Sequence, residues 1–152
     1  MILSCFKSPA KITQEFGEDF MCNGELYYAK FNIKGHNGID LIPTDKDKSL
    51  FNIYPGKILK IEKHTAYGWR ILVWNQERKF IEYHNHMKNI AKELKLGQII
   101  NKGTYIGQMG NTGWSKGAHN HLAYRKTDNK GYILNLDNGY NGYVDPRIYI
   151  DI

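Results

Sequence analysis

Short apolar runs punctuated by Gly, Asn and Asp recur along the whole chain, and within many of them apolar and polar residues alternate with a period of two. That is the rhythm of antiparallel strands joined by tight turns. It predicts strands at 56–63 (GKILKIEK), 69–75 (WRILVWN), 78–86 (RKFIEYHNH), 104–109 (TYIGQM) and 119–125 (HNHLAYR). Residues 87–95 (MKNIAKELK) read as a short helix or an irregular connection. The tail YVDPRIYI reads as an edge strand or a packed terminus, because Pro146 lacks the amide that a central ladder needs. No repeat or low-complexity linker divides the 152 residues, which implies one mainly β domain over 1–152. A chain of this length buries about two thirds of the surface that it exposes when unfolded.

The same alternation brings histidines together. In 78–86 it places Phe80, Glu82, His84 and His86 on one face and Lys79, Ile81, Tyr83 and Asn85 on the other. In 119–125 it points His119 and His121 the same way. Four of the six histidines therefore fall into two same-face pairs. A fifth, His36, precedes Asp40 by four residues, and Gly38 between them lets the backbone bend so that both side chains reach one point. Imidazole and carboxylate are good Zn²⁺ ligands. With one histidine of the 119/121 pair they make three, leaving the open fourth position of a catalytic zinc. The chain has no CxxC pair for a closed structural site and no helical H-E-x-x-H. His64, in EKHTAYG, reads as a surface turn residue. Trp69 and Trp74 read as packing residues, and Trp114, just before the H-x-H, as a groove-lining candidate. Tyr140 and Tyr143 sit in a Gly-Asn-rich turn.

Composition narrows the class. The 21 Lys and Arg exceed the 15 Asp and Glu, and the formal charge of +6 calls for an anionic partner. The basic residues are scattered with no run of five, which argues against a nucleic-acid arm. His-Asn-His occurs twice as a contiguous tripeptide, whereas nucleases of that name spread the residues along a ββα unit. No stretch approaches the about 18 apolar residues of a membrane span. The start, MILSCFKSPAK, lacks the basic region and long apolar core of a secretory signal. Cys5 and Cys22 are too few for a disulfide framework.

Several motifs in order resemble one family. SPAKITQEFG looks like an opening strand ending in Phe-Gly, GHNGIDL like an H-x-x-x-D motif, and GKILKIEKHTAYGWRILV like a hairpin closed by a Tyr-Gly turn. LKLGQIINKGTYIGQMGNTGWSKGAHNH is similar to a long signature of Gly-bounded turns ending in H-x-H, and YVDPRIYI to a closing segment. Together, over about 9–149, they resemble the lysostaphin-type or LytM-like zinc endopeptidases, which cut the peptide part of bacterial peptidoglycan. The resemblance implies an antiparallel sheet forming a substrate groove, of the duplicated hybrid motif type. It implies one Zn²⁺ per chain on His36, Asp40 and His121, and His119 as a catalytic histidine beside it.

A further family histidine ends a strand, usually two residues after a tyrosine. Setting His86-Met87 in that place makes His86 catalytic, with His84 in the tyrosine slot as an auxiliary. Setting Tyr83 in the tyrosine slot would select Asn85, which cannot do the work of a histidine. Asp19, Asn120 and Leu122-Ala123 depart from the family pattern in the groove lining and leave the ligands intact. The implied protein is an active, monomeric enzyme at the bacterial wall, a phage lysin, virion-associated domain or excised domain, with anionic wall polymers as partners. A non-catalytic wall-binding or regulatory relative is the alternative.

Overall fold

A computed structural model describes residues 4–150; residues 1–3 and 151–152 of the predicted domain lie outside it. The strands among the described residues are β1 (Ala10–Gln14), β2 (Met21–Cys22), β3 (Glu25–Leu26), β4 (Ile39–Pro43), β5 (Ser49–Phe51) and β6 (Gly56–His64). They continue with β7 (Gly68–Asn75), β8 (Phe80–Ile90), β9 (Ile99–Ile100), β10 (Tyr105–Met109), β11 (Asn120–Lys126) and β12 (Tyr143–Val144). Two 3-10 turns, Tyr27–Phe31 and Pro146–Ile148, are the helical elements. The mainly antiparallel β architecture expected from the sequence is the one found. β1-β4-β11-β8-β7-β6-β9 lie side by side, β12 pairs with β11, β10 links β8 to β5, and β2 and β3 form a separate hairpin.

Period two decides which side chains are buried where. Ile71 and Val73 of β7 enter the main core with Phe80, Leu122 and Tyr124, while Leu72, Ile81, Tyr83 and Ala123 pack a second cluster with Tyr143. Phe80 is fully buried, its ring 4.5–5.2 Å from those of Tyr54, Tyr124 and Tyr149. The tail is an edge strand that becomes a packed terminus: Tyr143–Val144 pairs with β11, and Ile150 is buried. Cys5 and Cys22 are both free thiols.

Two expectations for β8 are corrected. Residues 87–90 continue the strand instead of turning into a helix or irregular connection, because Met87, Asn89 and Ile90 pair with Met109, Gln108 and Gly107. That pairing satisfies the backbone amides through a distant segment, so local pattern did not reveal it. The other correction concerns His84 and His86, which do not share a face. Trp69 pairs with Met87 and Ile71 with His84, so two steps on β7 oppose three on β8 and the strand bulges. His86 takes the bulge with φ +58°. Met87 returns to the core and His86 turns toward the groove described below.

His84 remains on the core side, fully buried, in a closed polar network. Its Nε2 donates to Glu82 Oε1 at 2.7 Å, and its Nδ1 accepts from Asn120 Nδ2 at 3.0 Å. The Glu82 carboxylate also accepts from the backbone of Ile53 (2.8 Å) and Tyr54 (3.3 Å) and from the Tyr124 hydroxyl (3.1 Å). A buried carboxylate is tolerated only when saturated in this way. Glu82→Ala strands four buried donors, and we expect it to cost roughly 3–5 kcal/mol in urea unfolding. A loss near zero would show that the network carries no stability.

Candidate active site

β4 and β11 run antiparallel with Asp40 directly opposite His121. On β4 the main-core residues are Ile39 and Leu41, so Asp40 points to the other face; on β11 the core residues are Leu122 and Tyr124, so His121 does too. Gly38 makes this approach possible, since a Cβ there would lie 2.4 Å from the Leu122 carbonyl and 2.8 Å from His121 Nε2. His36, just before β4, swings to the same point with its Nδ1 donating to the Glu15 carbonyl at 3.0 Å. That bond leaves the Nε2 lone pair facing inward. Three ligand atoms then converge: His36 Nε2 to His121 Nδ1 is 2.9 Å, His36 Nε2 to Asp40 Oδ1 is 3.1 Å, and His121 Nδ1 to Asp40 Oδ1 is 3.0 Å. His36, Asp40 and His121 are all buried, and a single ion can reach one atom from each.

Burial alone would raise Asp40. The hydrogen bonds and charges of His121 and His36 outweigh it and hold the carboxyl well below the usual range, so it is an anion. Burial pushes His121 down against the pull of Asp40. Its Nε2 is buried without a hydrogen-bond partner. Two imidazoles and a carboxylate turned inward at such spacing are the donor set of a divalent transition metal.

His86 and His119 stand beside this cluster. The His86 ring lies 5.0 Å from that of His119 and 5.9 Å from that of His121. His86 Nδ1 donates to the Thr112 carbonyl at 2.7 Å, and His119 Nδ1 to the Gly117 carbonyl at 2.7 Å. In each ring the Nε2 is thereby left free of these anchors; that of His119 is 3.5 Å from Asp40 Oδ1. The loop supplying both anchors is pinned in turn. Thr112 Oγ1 donates to the Met87 carbonyl at 2.6 Å and accepts from Trp69 N at 3.0 Å. Gly68, at φ +64°, packs so closely on Thr112 that a Cβ would lie 2.3 Å from its Oγ1.

Five of the six sequence-predicted site residues, His36, Asp40, His86, His119 and His121, thus line one groove of about 760 Å³. His84 is not brought to it. His64, read as a surface turn residue, also lines it, with Nδ1 accepting from the amides of Ala66 and Tyr67. Trp114, the groove-lining candidate, lines it, and Tyr143 lies in the second core cluster. The sequence reading missed one wall entirely. Phe20, just before β2, and Tyr27, Tyr28 and Phe31 of the 3-10 turn line the groove with Trp114, whose ring packs 5.6 Å from that of Phe31. Four aromatics within the twelve residues 20–31 were the available signal.

Comparison with known proteins gives the family and the fold. The sequence model of peptidase family M23 matches residues 34–135, a span holding all these histidines and Asp40, and the chain belongs to that family. Its fold is similar to the catalytic domain of the antimicrobial peptidase lysostaphin from Staphylococcus simulans, at TM-score 0.69 and 19% identity over 91% of this chain and 90% of that one. A zinc-containing peptidase from Vibrio cholerae matches at TM-score 0.64 and 22% identity over 89% of this chain, which spans only 35% of that longer one. The catalytic domain of the prophage-encoded M23 protein EnpA from Enterococcus faecalis, as a mutant, matches at TM-score 0.62 and 24% identity, over 87% of this chain and 92% of that one. No curated protein matches the chain. No helix among the described residues is long and apolar enough to cross a membrane.

Burial first, then the charge of His121, pushes His86 down to about 4; the Thr112 carbonyl only partly opposes them. Below about pH 6.5 the unfolded imidazole takes up a proton that the folded one refuses until about pH 4. The stability tied to neutral His86 is therefore complete above pH 6.5 and is lost as pH falls toward 4. Urea unfolding of chelator-treated protein is expected to show a decline across that window, shallower in His86→Gln. Equal slopes in the two proteins would contradict it.

Proposed function

We propose that this M23 peptidase is a zinc endopeptidase that hydrolyses peptide bonds of bacterial peptidoglycan, in the stem peptide or the cross-bridge. The observation that carries the reading is the meeting of His36 Nε2, Asp40 Oδ1 and His121 Nδ1 at one point on the groove floor, with His86 and His119 beside it. Zn²⁺ bound by those three residues supplies a Lewis acid and lowers the pKa of water toward about 7. The protein's own groups do the rest. His86, neutral and anchored through Nδ1, presents Nε2 to accept a proton from the attacking water, and His119 Nε2 hydrogen bonds the developing oxyanion or returns a proton to the leaving amine. The aromatic wall and Trp114 hold an extended peptide across the floor. Membership of the M23 family, with the ordered motifs that resemble wall-cutting endopeptidases, supports a wall substrate, and the prophage-encoded relative is in keeping with a phage lysin or virion-associated setting. The chain works as a monomer, each copy carrying all five groups.

The purified protein is expected to bind one equivalent of zinc. Alanine at His36, Asp40 or His121 should weaken that binding by more than the about 10–100-fold typical of losing a group that only orients a ligand. Stoichiometric zinc of unchanged affinity in His121→Ala would overturn the ligand set. His86→Ala and His119→Ala are expected to keep zinc and lose about 10²-fold or more in kcat on defined muropeptides. His84→Ala should lose stability before turnover. Full activity in His86→Ala alongside a dead, folded His84→Ala would exchange the two roles.

A further inference from the structure

A second cleft, of about 640 Å³, adjoins the groove across the Gly-rich loop, and Ala118 lines both. Lys46 and Lys48 enter it from the turn between β4 and β5, Lys88 from β8, Gln108 from β10, and Asn111 and Thr112 from the loop itself. The three lysines are exposed and make no ion pair among the described residues. The single carboxylate in the cleft, Asp47, is already engaged by Lys7 Nζ at 3.2 Å and by the Ser49 amide at 2.9 Å. The frame is held by backbone bonds: the Met109 amide donates to the Lys48 carbonyl at 2.8 Å, and the His119 amide to the Gly110 carbonyl at 3.1 Å. The lysine turn and the loop bearing His119 are therefore both stitched to β10 and its end.

Three lysines line one concavity whose single carboxylate is already paired with Lys7, and a cleft of net positive charge concentrates anions. We propose that this cleft is an anion subsite, holding a carboxylate or phosphate group of the wall polymer while the adjoining peptide lies in the groove. The proposal rests on the wall-peptidase reading for its ligand. Its position makes it a tether: it raises the local concentration of substrate without touching the reacting atoms. Such attraction is screened over about 8 Å at physiological salt, so it acts most strongly at low ionic strength.

The test compares the wild-type protein with Lys46→Gln/Lys48→Gln/Lys88→Gln and with a charge-matched control, Lys57→Gln/Lys63→Gln/Lys92→Gln, whose lysines are exposed outside both clefts. Co-sedimentation with purified walls is measured with chelator present, so that cutting does not enter the readout. The cleft variant is expected to bind walls about tenfold more weakly at low salt and to lose most of its salt dependence, while the control stays within about twofold of wild type. Zinc-loaded cleft variant should cleave a short neutral peptide as wild type does. Walls stripped of phosphate polymers separate the sources: a defect that persists assigns the carboxylate, and one that vanishes assigns the phosphate. Equal weakening in both variants, or none in the cleft variant, overturns the proposal. Failure of wild type to cut any peptide would instead defeat the peptidase reading and leave the binding result standing.

Discussion

Asp40 and His121 face each other across the β4–β11 ladder, and the groove is arranged around that cross-strand pair. Antiparallel pairing fixes their separation, and period two sends both side chains away from the core occupied by Leu41 and Leu122. A slip of one residue would bury the carboxylate among aliphatic groups and turn the leucines to solvent. The hydrophobic effect that sets the register of these strands thereby also sets the position of two metal-ligand candidates. His36 needs only the Glu15 carbonyl to complete the set.

The two faces of β8 and β11 have separate tasks. On the core face Glu82, His84 and Asn120 form a saturated polar network, with Asn120 Nδ2 also within 3.4 Å of the buried Cys5 thiol. Burial pushes that thiol up to about 12, so it packs as a neutral group. On the groove face stand His119, His121 and, by way of the bulge, His86. Each open ring nitrogen there owes its orientation to a carbonyl on the opposite side of the ring or to Asp40. A left-handed φ at a non-glycine residue carries strain, and here it falls at the residue whose side chain the bulge delivers to the groove.

The legibility of the sequence follows the range of the interactions. Strands β6, β7, β10 and β11 were readable because their alternation is local, and the three side chains that converge, His36, Asp40 and His121, were named from H-x-x-x-D and H-x-H with the family resemblance. The continuation of β8 through Ile90 was hidden because its partner, β10, lies some twenty residues further on. The bulge was hidden for a related reason: strict alternation in YHNHM put His84 and His86 together, and only the pairing with β7 shows the extra residue. The resemblance nevertheless singled out His86, which is the member of that pair that lines the groove. The aromatic wall at 20–31 escaped because a two-residue hairpin and a 3-10 turn have no periodicity to detect.

The central claim is that two imidazoles and one carboxylate, and no other side chains, form the metal centre. X-ray absorption at the zinc edge of the fully loaded protein in solution addresses it directly. The account predicts a first shell of nitrogen and oxygen only, with the multiple scattering of two imidazoles, unchanged in His86→Ala and His119→Ala. Scattering from three imidazoles or from sulfur in the wild type would contradict it.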